Sequence, residues 1–291
     1  FACVTLLPFQ AITKEPAERA PIWLLESDTA NVILAGSVHL LREKDLPIPA
    51  PFDEAYEIAD RLVFELDMNE MNSPATAMAV RQQGVLPEGE SLEDYFDAET
   101  LKAIKVYAGD LGLPRAVVEQ MRPGTLFVTL TSLAAMRHGA RPDLGIEIQY
   151  FKKAVKDEKP TSGLETMQYQ MGIFHEISIE TLTRLFQEMI EEVDESEESL
   201  DDIIAAWKSG DPKQIEEIIV AELAEEEEVK RLLLDDRNQN WIPVIEEALK
   251  GNETVMFIVG AAHLAGEGSV IDLLQKKGYE PYQMTPALQI P

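Results

Sequence analysis

Apolar residues follow two rhythms along this chain. Near the start, "PIWLLES" and "NVILAG" are short apolar runs separated by "DTAN". Asp28 to Asn31 supply turn chemistry there, so the pattern predicts a β-hairpin. "FDEAYEIAD" follows with Phe52, Ala55, Tyr56 and Ala59 at helical spacing, which predicts a short amphipathic helix. "RLVFELDM" is again a run of strand length, interrupted by Glu65 and Asp67. From about Ser73 to Lys156 the rhythm turns helical, punctuated by Pro87, Pro114, Pro123 and Pro142. Within it, Ser91 and Asp94 of "SLEDYF" match a capping box at a helix start, and "RHG" matches a helix end. "TSGLE" predicts one more short strand. Residues 178–250 are helical and acidic, with Ser199 and Asp202 as a second capping-box match and Asp211–Pro212 as an N-cap and first-turn pair. Strand character returns in "ETVMFIVG". "SVIDLLQKKG" then reads as a helix ending at Gly278, and "YEPYQM" as a last strand.

This order predicts an α/β fold: a mixed central sheet built from the N- and C-terminal segments, with a large helical insertion between them. Residues 1–20 read as an N-terminal arm or signal remnant and 21–291 as a single domain. The insertion occupies about 71–156 and the acidic helices about 178–250. No repeat of solenoid length interrupts the reading.

Composition narrows the functions. With 53 acidic against 25 basic side chains the net charge is −28, a surface that repels nucleic-acid backbones and anionic lipid. Cys3 is the single cysteine, so neither an internal disulfide nor a thiolate metal cluster forms. "FACVTLLPFQA" is apolar and ends in small residues. It reads as the tail of a secretion signal or a lipid-attachment site at Cys3, or else as an arm packing on the domain. The first reading carries the expectation of a periplasmic or otherwise extracytoplasmic protein. No transmembrane segment is predicted.

Two of the four histidines share one context: an apolar run, a glycine, two residues and the histidine, as Gly36 to His39 and Gly260 to His263. A strand ending this way delivers imidazole to the sheet rim where ligands bind in open α/β folds. Each histidine is either a hydrogen-bonded core-edge residue or a ligand, and both readings stay open on spacing alone. Glu65 is a carboxylate inside an apolar strand, which is costly to bury unless paired, protonated or metal-bound. It faces water if the strand is half exposed. Glu165 closes the "TSGLE" strand or caps the next helix. Arg237 lies in "DDRNQNW" with Asn238 and Trp241, as a surface ion pair or as a cation near a reacting oxygen. His138 sits at a helix end and His175 lacks a metalloprotease partner four residues on, so neither is placed in the site.

Five stretches together resemble the TraB/GumN family, related to the Tiki metalloproteases and more distantly to the erythromycin-esterase and ChaN-like proteins. They are "PIWLLESDTANVILAGSVHLL", "AYEIADRLVFELDM", "GIEIQYFKKAVKDEKPTSGLETMQYQ", "DDRNQNW" and "VGAAHLAGEGSVIDLLQKKGYEP", and they span about residues 21 to 283. Ser37 stands where the family commonly has Thr, Glu147 where it has Asp, and Ala262 where a second glycine is frequent. The resemblance implies a metal-dependent hydrolase acting on a peptide or protein. His39, His263 and Glu65 would hold a divalent ion (Mn, Co or Zn), with Glu65, Glu165 and Arg237 as catalytic groups. Two alternatives accompany it: a non-catalytic binding protein for haem or a peptide signal, and a metal-independent esterase with His39 as base.

Overall fold

Alternation within the apolar runs builds the sheet. In the computed structural model, which describes residues 19–71, 73–191 and 196–284, six strands form: β1 (Ile22–Glu26), β2 (Asn31–Ser37), β3 (Arg61–Leu66), β4 (Thr161–Glu165), β5 (Thr254–Gly260) and β6 (Tyr282–Gln283). Their order is β4-β3-β5-β2-β1-β6. β1 and β2 form the antiparallel hairpin, and β6 pairs antiparallel with β1. β2, β5, β3 and β4 run parallel, so their C-terminal ends share one edge. The predicted α/β class and mixed sheet are what the chain adopts. Cys3 and the rest of the N-terminal apolar stretch lie outside the described residues.

Parallel strands buried on both faces read as continuous apolar runs, and here successive residues go to opposite layers. Ile33, Leu62, Phe64, Met256 and Ile258 join one core with Phe52, Tyr56, Tyr150 and Trp207. Val32, Leu34, Val63, Val255 and Phe257 join the other with Trp241, Ile245 and Leu274. The first face is covered by the helices Pro51–Ile58, Ile146–Lys156 and Ser196–Ser209, and the second by Asp236–Leu249 and Val270–Lys276. A third core, including Leu101, Leu126, Leu130 and Phe186, forms among the helices between β3 and the C-terminal half. The helical stretches therefore divide. Their sheet-facing members close the fold over β2, β3 and β5, and the rest build a separate layer.

Local signals resolved unevenly. Ser91 and Asp94 do form a capping box, but it closes one 3-10 turn, and the following helix starts at Ala98 on the Asp97 cap. Ser199 lies inside the helix Ser196–Ser209 rather than at its N-cap. Asp211 caps as predicted, accepting from the Lys213 amide. Gly139 and Gly278 follow their helices with φ of 85° and 92°, a conformation only glycine adopts freely. Among the described residues no helix is long and apolar enough to cross a membrane.

Candidate active site at the parallel strand ends

Four parallel strands ending together bring distant residues to one edge. The register sets Leu66 beside Glu165 and Ser37 beside Gly260. Glu65 is then on the last turn of pleat of β3, while His39 and His263 follow β2 and β5 immediately. The loop after β2 is pinned from both sides. Trp207 donates its indole N–H to the Gly36 carbonyl at 2.8 Å. The Ile146 amide donates to the Val38 carbonyl at 3.1 Å. That approach depends on Gly145, whose side-chain position would stand 2.2 Å from the His39 carbonyl oxygen.

The Ile146–Lys156 helix thereby carries Glu147 to His39. Glu147 Oε1 accepts from His39 Nδ1 at 2.7 Å and also from the Ser37 hydroxyl. Although 66 % of the His39 side chain is open to solvent, the charge of Glu147 lifts its pKa to about 9. Glu147 itself is nearly buried. Burial favours its neutral form, but His39 outweighs that and holds its pKa below the usual carboxylate value.

Arg237 occupies the middle of the edge. Its Nε donates to both oxygens of Glu165 at 3.1 Å, and Nη2 to Glu65 at 2.5 Å and to Glu165 at 2.9 Å. Nη1 donates to the Leu233 carbonyl and to His263 Nε2, each at 3.0 Å. All five guanidinium protons are thus engaged within the protein. Leu233 belongs to a π-helical turn, Arg231–Asp235, which leads directly into the Asp236–Leu249 helix. Burial opposes the charge of Arg237, yet the two glutamates more than compensate and strengthen it. Burial likewise opposes the Glu65 carboxylate, and the attraction of Arg237 reverses this and drives its pKa far below the ordinary range.

His263 is settled by its partners. Arginine only donates, so Nε2 must accept, the proton sits on Nδ1, and it donates to Asn238 Oδ1 at 2.6 Å. Asn238 is oriented in turn by its own bond to the Gly268 carbonyl at 2.9 Å. Burial, aided by Arg237, lowers the His263 pKa to about 3, so the ring is neutral at physiological pH. Trp241 packs against it with the rings tilted at 45° and their centroids 4.4 Å apart, and donates to Glu165 at 2.8 Å.

Of the residues singled out in the sequence, Glu65, Glu165, Arg237 and His263 form one hydrogen-bonded cluster, and His39 stands at its open side. The link between them is the space over Gly260. A side-chain carbon there would meet Glu65 Oε1 at 3.3 Å, His263 Cδ2 at 3.5 Å and His39 Nε2 at 3.9 Å as its nearest neighbours. Gly260 has φ −51° and ψ 138°, open to any residue, so its lack of a side chain serves space rather than backbone shape. Glu65 Oε1 accepts the Gly260 amide at 2.6 Å, which aims the carboxylate at this spot. A cleft of about 450 Å³ adjoins the Glu165 end of the row, with Asp67, Glu70, Tyr169, Trp241 and Val244 in its wall.

Two contributors were not placed in the site from the sequence, although Glu147 stands at a motif position of the family this chain resembles. Glu147 sits in the first turn of a helix, where acidic residues are routine. Gln170 bridges Glu65 and Glu165 with its amide at 3.0 Å to each, and nothing in its neighbourhood marks it. His138 follows the helix Pro123–Arg137 as its C-cap, and His175 bonds the Thr125 hydroxyl at 2.8 Å; both lie outside the cluster.

The model of the TraB/PrgY/gumN family matches residues 21–283. The uncharacterized protein YbaP of Escherichia coli strain K12 is 22% identical over 242 residues, covering 83% of this chain and 87% of that protein. The metalloprotease TIKI2 of Xenopus tropicalis is 23% identical over 310 residues, covering 88% of this chain and 58% of that protein. No solved structure matches.

A divalent ion shared by His39, His263 and Glu65 needs a free lone pair from each, converging at about 2.0–2.2 Å. His263 has none to offer, since Nδ1 carries the proton and Nε2 accepts from Arg237. Glu65 Oε2 is taken by Arg237 and Gln170. Among the described residues no group of three or more His, Cys, Asp or Glu side chains is arranged to hold a metal. In this arrangement the residues do not fit the ion.

Proposed function

This chain belongs to the TraB/PrgY/gumN family, and from that premise we propose that it is a hydrolase of acyl bonds, peptide bonds first. The likeness to TIKI2, a metalloprotease by name, supports hydrolysis as the reaction class and peptide as the substrate. The observation that carries the reading is the space over Gly260, bounded by His39 Nε2 and Glu65 Oε1. A water molecule there has a base on one side and a carboxylate acceptor on the other.

Each side chain then has a task. Neutral His39, its Nδ1–H held by Glu147, accepts a proton at Nε2 as the water oxygen attacks the substrate carbonyl carbon. The C–N bond breaks, and the same imidazole returns the proton to the departing amine. Glu147 keeps the ring in the tautomer that leaves Nε2 able to accept. Glu65 Oε1 orients the second hydrogen of the water. Arg237 and Gln170 hold Glu65 in place, His263 holds Arg237, and with every N–H engaged Arg237 acts as a positioning residue rather than a substrate contact. No step is routed through a metal.

The test is a pooled peptide library incubated with the purified protein in heavy-oxygen water and read by mass spectrometry. Cleavage with one heavy oxygen in each new C-terminal carboxylate supports the proposal. A library left intact across neutral and alkaline pH, with ester analogues also untouched, sinks it.

A further inference from the structure

We infer that the Arg237 guanidinium takes the place of a divalent ion in this chain, so that the centre is built around an internal organic cation and binds no metal. The inference concerns what organises the edge, and it holds or fails whether or not the proposed hydrolysis is found.

Two members of the expected ion-binding set, Glu65 of β3 and His263 after β5, do converge here, joined by Glu165 at the end of β4 rather than by His39. All three converge, but on a guanidinium. Glu65, Glu165 and His263 each place an acceptor 2.5–3.1 Å from a guanidinium nitrogen. Those lengths are hydrogen-bond lengths, and the acceptors surround a planar fork. Ligands of one ion would have to crowd around a single point at about 2.0–2.2 Å. The acceptors are therefore already engaged by the fork, and an ion would have to displace it.

Two further features meet the guanidinium directly. The π-helical turn Arg231–Asp235 leaves the Leu233 carbonyl available to Nη1, closing the last donor. The face of Trp241 lies 4.9 Å from the guanidinium carbon, a stacking partner suited to a flat cation. Gln170 completes the set by donating to the two carboxylates from another side, a contact that would be spent for nothing if those oxygens were ligands. The side chain of Arg237 is only 8 % exposed, so its charge is set once, by folding, and no ion need be captured afterwards.

Two readouts test this, and neither needs turnover. The full chain is produced in medium supplemented with Mn, Co and Zn and purified without chelator, and its metal content is measured by mass spectrometry. Its melting temperature is then followed with EDTA and with each ion added back. The inference expects far less than one metal per chain and an unchanged melting temperature. About one tightly held ion per chain, or a melting temperature that falls with EDTA and returns with the ion, overturns it. Arg237→Ala supplies the positive arm: stranding buried carboxylates lowers the melting temperature by roughly 10 °C, and millimolar guanidinium restores part of that loss. Rescue by a divalent ion but not by guanidinium would overturn the inference. If Arg237→Ala does not fold, Arg237→Lys is used with the same ligands, since a point charge cannot bridge both glutamates and His263.

Discussion

Gly260→Ala separates the proposed chemistry from the fold. The backbone at Gly260 suits an L residue, so the new methyl brings no conformational strain. Its carbon would stand 3.3 Å from Glu65 Oε1, a tight contact, and 3.5 and 3.9 Å from the two imidazoles, ordinary contacts. Crowding against one carboxylate oxygen costs on the order of 1 kcal/mol, at the low end for overpacking. Loss of glycine's freedom in the unfolded chain returns about 0.4–1 kcal/mol. The two nearly cancel, and a residual of at most about 0.6 kcal/mol moves the melting temperature of a chain this size by no more than about 2–3 °C. The effect on the reaction is of another order. The methyl fills the volume in which a water must lie about 2.6–3.2 Å from its base, and positioned base catalysis is worth roughly 10²–10⁴ in rate. The variant should therefore melt like the parent and cleave a peptide chosen from the library at least about 100-fold more slowly. Calorimetry and a steady-state assay on the same preparation decide it. A variant with the parent's kcat/KM would show that nothing reactive uses the space over Gly260.

Other consequences follow from the same geometry. Because His39 must be neutral to act and its pKa is about 9, the rate should rise with pH and level off near that value. Glu147→Gln removes the main cause of the upward shift and should move this limb down toward the ordinary histidine range, at a reduced plateau. Stability follows the same signs. The contribution of the His39–Glu147 pair is fully present below pH 6.5 and lost as pH rises through about 9, so His39→Gln should flatten the alkaline part of a melting-temperature profile. His263, held neutral with a pKa of about 3, works the other way: its contribution is complete above 6.5 and declines as pH falls toward 3, visible as acid destabilisation. Gly145→Ala drives a methyl into the His39 carbonyl at 2.2 Å and should cost more than about 3 kcal/mol in denaturant titration, with Glu147 displaced from His39.

The elements were legible wherever burial wrote itself into local pattern. β3 and β5 are covered on both faces, so "LVF" and "VMFIV" stand out as unbroken apolar runs. Against that background Glu65 was conspicuous as a charge where none belongs, and the two Gly-x-x-His turns marked strand ends. What could not be read was which groups answer one another. Glu147 reaches His39 across 108 positions of sequence, and Arg237 reaches Glu65 across 172, through helix packing that no local spacing encodes. The same limit hid the state of Arg237. In sequence it was either a surface ion pair or a cation near a reacting oxygen, but in the fold every proton it has is already given away. The capping matches at Ser91 and Ser199 show the limit from the other side. The Ser91 box forms but closes only one 3-10 turn, and the Ser199 pattern falls inside a helix, so a short polar pattern does not by itself fix where an α-helix begins.

The most direct test of the account is the rate of a single substitution, His39→Gln, on the peptide best cleaved by the parent. Glutamine keeps a polar side chain of similar reach but cannot take the proton. With folding verified by a melting temperature that matches the parent's above about pH 9, where the Glu147 pairing no longer contributes, the account predicts a fall in kcat/KM of at least about 100-fold and no remaining alkaline limb. A variant within twofold of the parent, with its pH profile intact, would contradict it.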